Sequence, residues 1–170
     1  ISVEGNQLTT LDLSNQPHLT DLYYSNNQFT IQVDISNNPL LKRLSTGYQP
    51  IGALDLSQST SLEYLDCTNC GLTTLDVSVN TGLQTLWCGN NSLNTLDVSL
   101  NTSLTMFYCQ NSGLNTLVLG GSINLNNITG FLVTGNTNLT IHVGSSQRVL
   151  DFQTMFVAGT HYDVGTNIVI

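Results

Sequence analysis

The sequence predicts a β-rich solenoid with little α-helix, and three observations carry that expectation. First, Cys67, Cys88 and Cys109 sit 21 residues apart inside one recurring pattern: L-E-Y-L-D-C-T-N-C-G-L (62–72), L-Q-T-L-W-C-G-N-N-S-L (83–93) and L-T-M-F-Y-C-Q-N-S-G-L (104–114). A fixed period of this length marks an array whose coils bury their apolar faces only against their neighbours. Second, apolar and polar residues alternate within each unit, which fits a short strand and no helical period. Third, charged residues are only 8% of the chain, against about 25% in ordinary soluble proteins. Asn, Thr, Ser and Gly take their place, as suits a chain rich in turns.

The unit is L-x-x-L-x-L-x-x-N-x-L. A partial copy opens the chain, with Ile1, Val3, Asn6 and Leu8 at positions four, six, nine and eleven. Complete copies start at Leu19, Leu41, Leu62, Leu83 and Leu104, in steps of 22, 21, 21 and 21 residues. Position four reads Leu22, Leu44, Leu65, Leu86, Phe107, and position six Tyr24, Thr46, Cys67, Cys88, Cys109. These two positions point inward from a strand. Position nine reads Asn27, Gln49, Cys70, Asn91, Ser112; its side chain must bond to backbone inside a bend.

The second half of each unit repeats the apolar rhythm: L-D-L-S (11–14), V-D-I-S (33–36), L-D-L-S (54–57), L-D-V-S (75–78) and L-D-V-S (96–99). Residues 72–82 fit the same eleven-residue pattern as 83–93, so each coil holds two nested half-turns. Strands are expected on one face and strand-like or irregular segments on the other.

Departures are informative. Thr30-Ile31 adds a residue, so the outer turn there should bulge. Gly47-Tyr48-Gln49-Pro50 should distort the second turn. After Leu114, L-V-L-G-G (117–121) replaces the Asp-containing half, and the next copy falls at Ile128, Phe131, Val133 and Asn136. Residues 139–143 alternate as one more strand, and 167–170 read as a last one. The solenoid is expected over 1–143, as six to seven coils with the first partial. Residues 144–170 are expected to cap its open end through Val149, Leu150, Phe152, Met155, Phe156 and Val157. The pattern begins in mid-unit at Ile1, which implies chain or a domain upstream.

These motifs resemble leucine-rich repeats, specifically the nested 21-residue type of Bacteroidetes-like surface or secreted proteins, over residues 1–139. The resemblance implies a right-handed superhelix with a parallel sheet on its concave face. It also implies an extracellular or surface-exposed bacterial protein that recognises a partner, with a natural C-terminal cap.

Outward positions of the strand face carry Asp21, Arg43, Tyr64, Thr85 and Met106 (position three), Tyr23, Ser45, Asp66, Trp87 and Tyr108 (position five), and Tyr48 (position eight). Four of the six tyrosines and the single tryptophan thus face one way. Such residues anchor interfaces; they also tile sheets for packing alone. Asp21, Tyr23, Arg43, Tyr48, Tyr64, Asp66, Trp87, Met106 and Tyr108 are the expected contacts for a protein or carbohydrate ligand, on a monomer or weak dimer. On this reading Trp87→Ala removes binding and leaves stability nearly unchanged. The competing reading is a structural spacer within a larger adhesin or surface enzyme.

Stacked acids Asp12, Asp34, Asp55, Asp76 and Asp97 lie about 5 Å apart in such an array and should raise one another's pKa unless partnered. Hydrogen bonds from nearby turn amides or the following Ser are the expected partnering; cation binding is the alternative. The cysteines read as buried free thiols, since stacked parallel positions suit a disulfide poorly. A zinc site at Cys67-x-x-Cys70 lacks further ligands. A broken Thr series (Thr10, Thr74, Thr95, Thr116) reads as ordinary loop chemistry rather than a water-ordering array. His18, His142 and His161 have no metal-ligand spacing, and no nucleophile or phosphate-loop motif appears. No enzyme activity, cofactor or metal is expected. A net charge of −8 with three basic residues, Lys42, Arg43 and Arg148, disfavours nucleic acid and anionic membrane. No apolar run reaches the ~20 residues that span a bilayer.

Overall fold

A computed structural model describes residues 1–145, 151–153, 162 and 167–169. Among the described residues the strands, each three residues long, are β1 (Asp21–Tyr23), β2 (Arg43–Ser45), β3 (Tyr64–Asp66), β4 (Thr85–Trp87), β5 (Thr95–Asp97), β6 (Met106–Tyr108), β7 (Thr116–Val118), β8 (Gly130–Leu132), β9 (Thr140–His142) and β10 (Asn167–Val169). Among the described residues, helix is limited to a 3-10 turn, Leu125–Asn127, and to residues 151–153. The chain is a solenoid with two parallel sheets. One is ordered β1-β2-β3-β4-β6-β8, the other β10-β9-β7-β5.

Each half-turn feeds its own sheet. Position four runs in direct register as Leu22, Leu44, Leu65, Leu86, Phe107 and Phe131, all at most 3% exposed. Full burial of such a side chain contributes about 1.5–3 kcal/mol, so this row is the spine of the core. Position six lies beside it. Cys67, Cys88 and Cys109 are buried there as free thiols, and so is Cys70 at position nine. Burial pushes the Cys70 thiol up to about 12 and Cys67 and Cys88 well above 9.0, so these sulfurs act as apolar filler. Tyr24, which replaces a thiol, is fully buried and sets its ring edge-on against Phe29 at 5.1 Å.

Position nine satisfies the buried bends. Asn91 Oδ1 accepts from the Cys70 and Leu72 amides of the preceding coil (3.1 and 3.0 Å). Its Nδ2 donates to the carbonyls of Cys67, Cys88 and Gly89. Asn136 does the same for Ser112 N, Leu114 N and Cys109 O. Asn27 holds Leu8 N and Val3 O. Gln49, Cys70 and Ser112 keep only the carbonyl contacts, to Tyr24, Thr46 and Cys88. A second ladder, Asn38, Asn80 and Asn101, all fully buried, serves the opposite bends.

Position eight is left-handed in every coil: Gly5, Asn26, Tyr48, Asn69, Asn90, Asn111 and Gly135 have φ between 52° and 78°. Gly and Asn tolerate that conformation. The turn at 47–50 is therefore not distorted, contrary to expectation. Gln49 donates to backbone as an Asn would, and the irregularity is concentrated in Tyr48, a bulky residue at φ 61°.

The extra residue at 30–31 leaves Ile31 73% exposed. Phe131, Val133 and Asn136 take the inward roles read for the slipped copy, and the 3-10 turn absorbs the added chain. The strand read at 139–143 is β9, and it joins the second sheet rather than the first. That sheet starts at β5, and the Asn94 carbonyl before it accepts from Asn115 and Thr116 of the next coil. The earlier halves, with Thr73 or Gly52 at this point, run without strand pairing. At the far end Phe152 is fully buried and stacks on Phe131 at 5.2 Å, with Tyr162 at 5.6 Å beyond it. Val149, Leu150, Met155, Phe156 and Val157 lie outside the described residues.

Replacing Asn91 with Ala strands two buried amides and their facing carbonyls. The expected cost is about 2–5 kcal/mol, read as a lower urea midpoint at constant slope. A loss below about 1 kcal/mol contradicts the role given to this row.

Candidate functional site

Strand alternation turns positions three and five of the six-stranded sheet outward, and the register aligns them into two rows across the coils. Position five runs Tyr23, Ser45, Asp66, Trp87, Tyr108, Leu132; position three runs Asp21, Arg43, Tyr64, Thr85, Met106, Gly130. Parallel strands stand about 4.8 Å apart, so side chains on neighbouring coils touch. Tyr64 meets Trp87 edge-on at 5.6 Å and 67°, and Trp87 meets Tyr108 at 6.0 Å and 38°. The result is one aromatic row that crosses from position three on β3 to position five on β4 and β6, half-buried by its own packing. Met106 stands exposed beside it.

Trp87 is more enclosed than an outward position implies. Its Nε1 is shielded and bonds to no protein atom, as is Gln110 Oε1. Gln110 folds back over Gly89, where an added Cβ would come within 2.8 Å of it. The two ring contacts are worth about 1–3 kcal/mol together. Trp87→Ala therefore carries a stability cost, which corrects the expectation of near-neutrality.

The other end of the face is polar. Arg43 Nη1 donates to Asp21 Oδ1 at 3.1 Å, as does the Tyr23 hydroxyl at 3.4 Å. The Thr20 hydroxyl bond and then Arg43 hold Asp21 below the usual carboxylate value. Lys42 pairs with Glu63 at 2.9 Å. Beside these pairs Ser25 Oγ and Ser45 Oγ lie 2.6 Å apart, and Ser45 Oγ is 3.4 Å from both Glu4 Oε1 and Asp66 Oδ2. Burial first, and then Asp66, Tyr23 and Glu4, push Tyr64 up to about 12. Tyr48 is 57% exposed in the turn that follows β2, outside the two rows.

The face thus brings together Tyr64, Trp87 and Tyr108 at one end, and Asp21, Tyr23, Arg43 and Asp66 at the other. Glu4, Ser25, Gly47 and Gln110 were missed. All four occupy position seven, whose outward direction was legible although its residues were not read as a row.

The opposite side holds the Asp ladder. Ser14, Ser36, Ser57, Ser78 and Ser99 each donate their amide to the Asp two residues earlier, at 2.8–2.9 Å. Asp12, Asp34, Asp55 and Asp76 are accordingly held below 3.8, by amide or hydroxyl bonds from those serines. Local turns, not mutual repulsion, set their charge. Among the described residues no three His, Cys, Asp or Glu side chains gather as a metal site. A shallow groove of about 520 Å³ runs between Leu54, Thr74, Asp76, Thr95, Asp97 and Leu100. Thr95 and Thr116 are in register, and Thr140 extends their row. His18 is exposed and His142 half-buried on β9. Arg148 and His161 lie outside the described residues.

Comparison with solved structures finds a match to the functional domain of InlJ from Listeria monocytogenes, described as including a cysteine ladder. Identity is 35% over 83% of this chain, with a TM-score of 0.62. The chain spans only 28% of that protein chain's length. No protein-family model matches the sequence, and no curated protein does. In this chain Cys67, Cys88 and Cys109 occupy the same buried position of three successive coils.

Relieving the left-handed tyrosine is expected to stabilise the fold: Tyr48→Asn should gain about 1 kcal/mol, read as a higher urea midpoint. No gain would mean the turn carries no strain. A second expectation concerns acid. Because the folded pKa of the four aspartates is depressed, their contribution is present above 3.8 and lost as pH falls below it. The thermal midpoint should drop between pH 4 and pH 2. A midpoint that rises on acidification would instead reveal stacked-charge repulsion.

Proposed function

The chain is a leucine-rich-repeat solenoid of the nested bacterial type, and we propose that it is a non-enzymatic recognition module holding a protein partner on the outer face of its six-stranded sheet. The observation that carries this reading is the Tyr64–Trp87–Tyr108 row, with ring centroids 5.6 and 6.0 Å apart. It offers a rigid, wide apolar surface with hydroxyl and indole groups at its margin, the composition that anchors protein interfaces. Rings already fixed by one another lose little freedom on binding.

Tyr48 adds weight. An exposed tyrosine kept in a backbone conformation that favours Asn or Gly costs stability, and such costs gather at functional positions. Catalysis is not part of the proposal. The carboxylates of this face lie on an open sheet, where nothing encloses a reacting group. The likeness to a Listeria domain supports a bacterial origin and a place outside the cell, where the partner would be met.

Two other readings compete. A glycan could stack on the same rings, and a pure spacer would bind nothing. Panning an extracellular-protein array with the chain, followed by titration of each hit, separates them. Trp87→Ala and Tyr108→Ala should each weaken a true partner at least about tenfold, or about 1.4 kcal/mol, with far-ultraviolet circular dichroism unchanged. Leu100→Ser, on the opposite side, should leave affinity intact. Partners that bind both aromatic variants as well as the parent contradict the assignment.

A further inference from the structure

The outer face is not uniform from end to end, and the asymmetry specifies the partner's chemistry. Four features meet between Tyr23 and Tyr64. The side chains in the middle are small: Ser25, Ser45 and, at 47, none at all. An added Cβ at Gly47 would lie 3.0 Å from the Thr68 carbonyl oxygen and 3.4 and 3.5 Å from the two Asp66 carboxylate oxygens. With no side chain at 47, the Asp66 carboxylate lies low over this stretch of the face. Glu4 reaches the same serine from the other side, so both carboxylates lie 3.4 Å from Ser45 Oγ. They stand within twice that distance of each other.

Neither carboxylate is paired with a cation among the described residues, whereas the two other acids of this end are. Asp21 is held by Arg43 and Glu63 by Lys42. Those pairs occupy Lys42 and Arg43, and the net charge of −8 leaves the chain with acids in excess. An incoming ammonium or guanidinium would find two carboxylates and flanking phenol rings, whose faces attract cations. One to two coils away, at about 4.8 Å per coil, the surface becomes the aromatic row. There Trp87 Nε1 and Gln110 Oε1 are a shielded donor and acceptor with no protein partner.

We propose that Glu4 and Asp66, which meet over the small residues Ser25, Ser45 and Gly47, hold a lysine or arginine side chain of a protein partner between Tyr23 and Tyr64, while an apolar residue of the same segment lies on Trp87 and Tyr108. The partner is thus a basic–apolar peptide segment crossing the coils. This rests on the recognition reading above and narrows it from any protein to one of stated charge.

The test uses a positional library of blocked hexapeptides and the protein's own fluorescence, since Trp87 is its single tryptophan. Selected peptides should carry Lys or Arg next to or one residue from an apolar side chain. Replacing that Lys or Arg by Gln should weaken binding about tenfold, and added salt should do likewise. The double variant Glu4→Gln, Asp66→Asn should lose the basic preference and the salt dependence. Its fold is safeguarded because Asn retains an acceptor for the Thr68 amide that Asp66 now binds; an unchanged thermal midpoint verifies this.

Peptides selected without any basic preference, yet sensitive to Trp87→Ala, would overturn the charge inference and leave the recognition reading standing. Basic peptides that bind the double variant as tightly as the parent would place the cation elsewhere and overturn it too. A neutral tetrasaccharide that quenches Trp87 when no peptide does would overturn both.

Discussion

A chain that turns twice per 21-residue coil buries two bends per coil, and every amide in those bends needs a partner away from water. That requirement governs the structure. An unsatisfied buried amide costs about 1–3 kcal/mol, so a stack of bare bends would not fold. Position nine meets the need with a side chain that reaches back. Asn91 accepts from two amides of the coil before it and donates to that coil's carbonyl as well as its own. The same atoms that complete one coil fasten it to the next. Hydrophobic stacking of Leu44, Leu65 and Leu86 sets the spacing; the asparagines fix which coil faces which. Where Gln49, Cys70 or Ser112 stands in that place, a carbonyl is bound but the paired amide contact is lost, so weak junctions at 49, 70 and 112 are set among strong ones at 27, 91 and 136.

The binding face follows from this column. With positions four and six committed inward, three and five have no packing role in the core and are free to vary between coils. That freedom is visible in the residues themselves: Asp21, Arg43, Tyr64, Thr85 and Met106 occupy one equivalent position. Because neighbouring coils are the only support any coil has, the centre of the array is its stiffest part. Tyr64, Trp87 and Tyr108 lie on coils flanked on both sides. Glu4 lies on the opening partial coil, where Ile1 is 43% exposed and Val3 only half-buried.

The sequence made the repeat, the inward rows and the outward rows legible because each depends on a period that a single chain displays. The slipped copy at Phe131, Val133 and Asn136 was readable for the same reason. What it hid depends on contacts between coils. Nothing in G-Y-Q-P announces that Gln49 can imitate Asn and keep the turn regular. The nearly identical halves at 72–78 and 93–99, which differ only at Thr73 against Asn94, gave no hint that only the second pairs as a strand. The Asp ladder was legible too, because the partnering it needs is local: the Ser amide two residues on, expected from the chain, is the donor found in every copy. In the candidate site, Trp87 and the tyrosines stood out by type, whereas the Glu4–Ser45–Asp66 meeting joins residues 41 and 21 positions apart and exists only once the coils are stacked.

Native-state amide hydrogen exchange tests the central claim most directly. The amides of Cys70, Leu72, Ser112 and Leu114 have side-chain acceptors in the next coil as their partners, Asn91 and Asn136. They should exchange as slowly as the amides in the centre of the six-stranded sheet, and far more slowly than Ser78, whose acceptor Asp76 is exposed. If the four exchanged as fast as Ser78, the asparagine row would not be holding the coils together, and the rigid face built upon it would have no foundation.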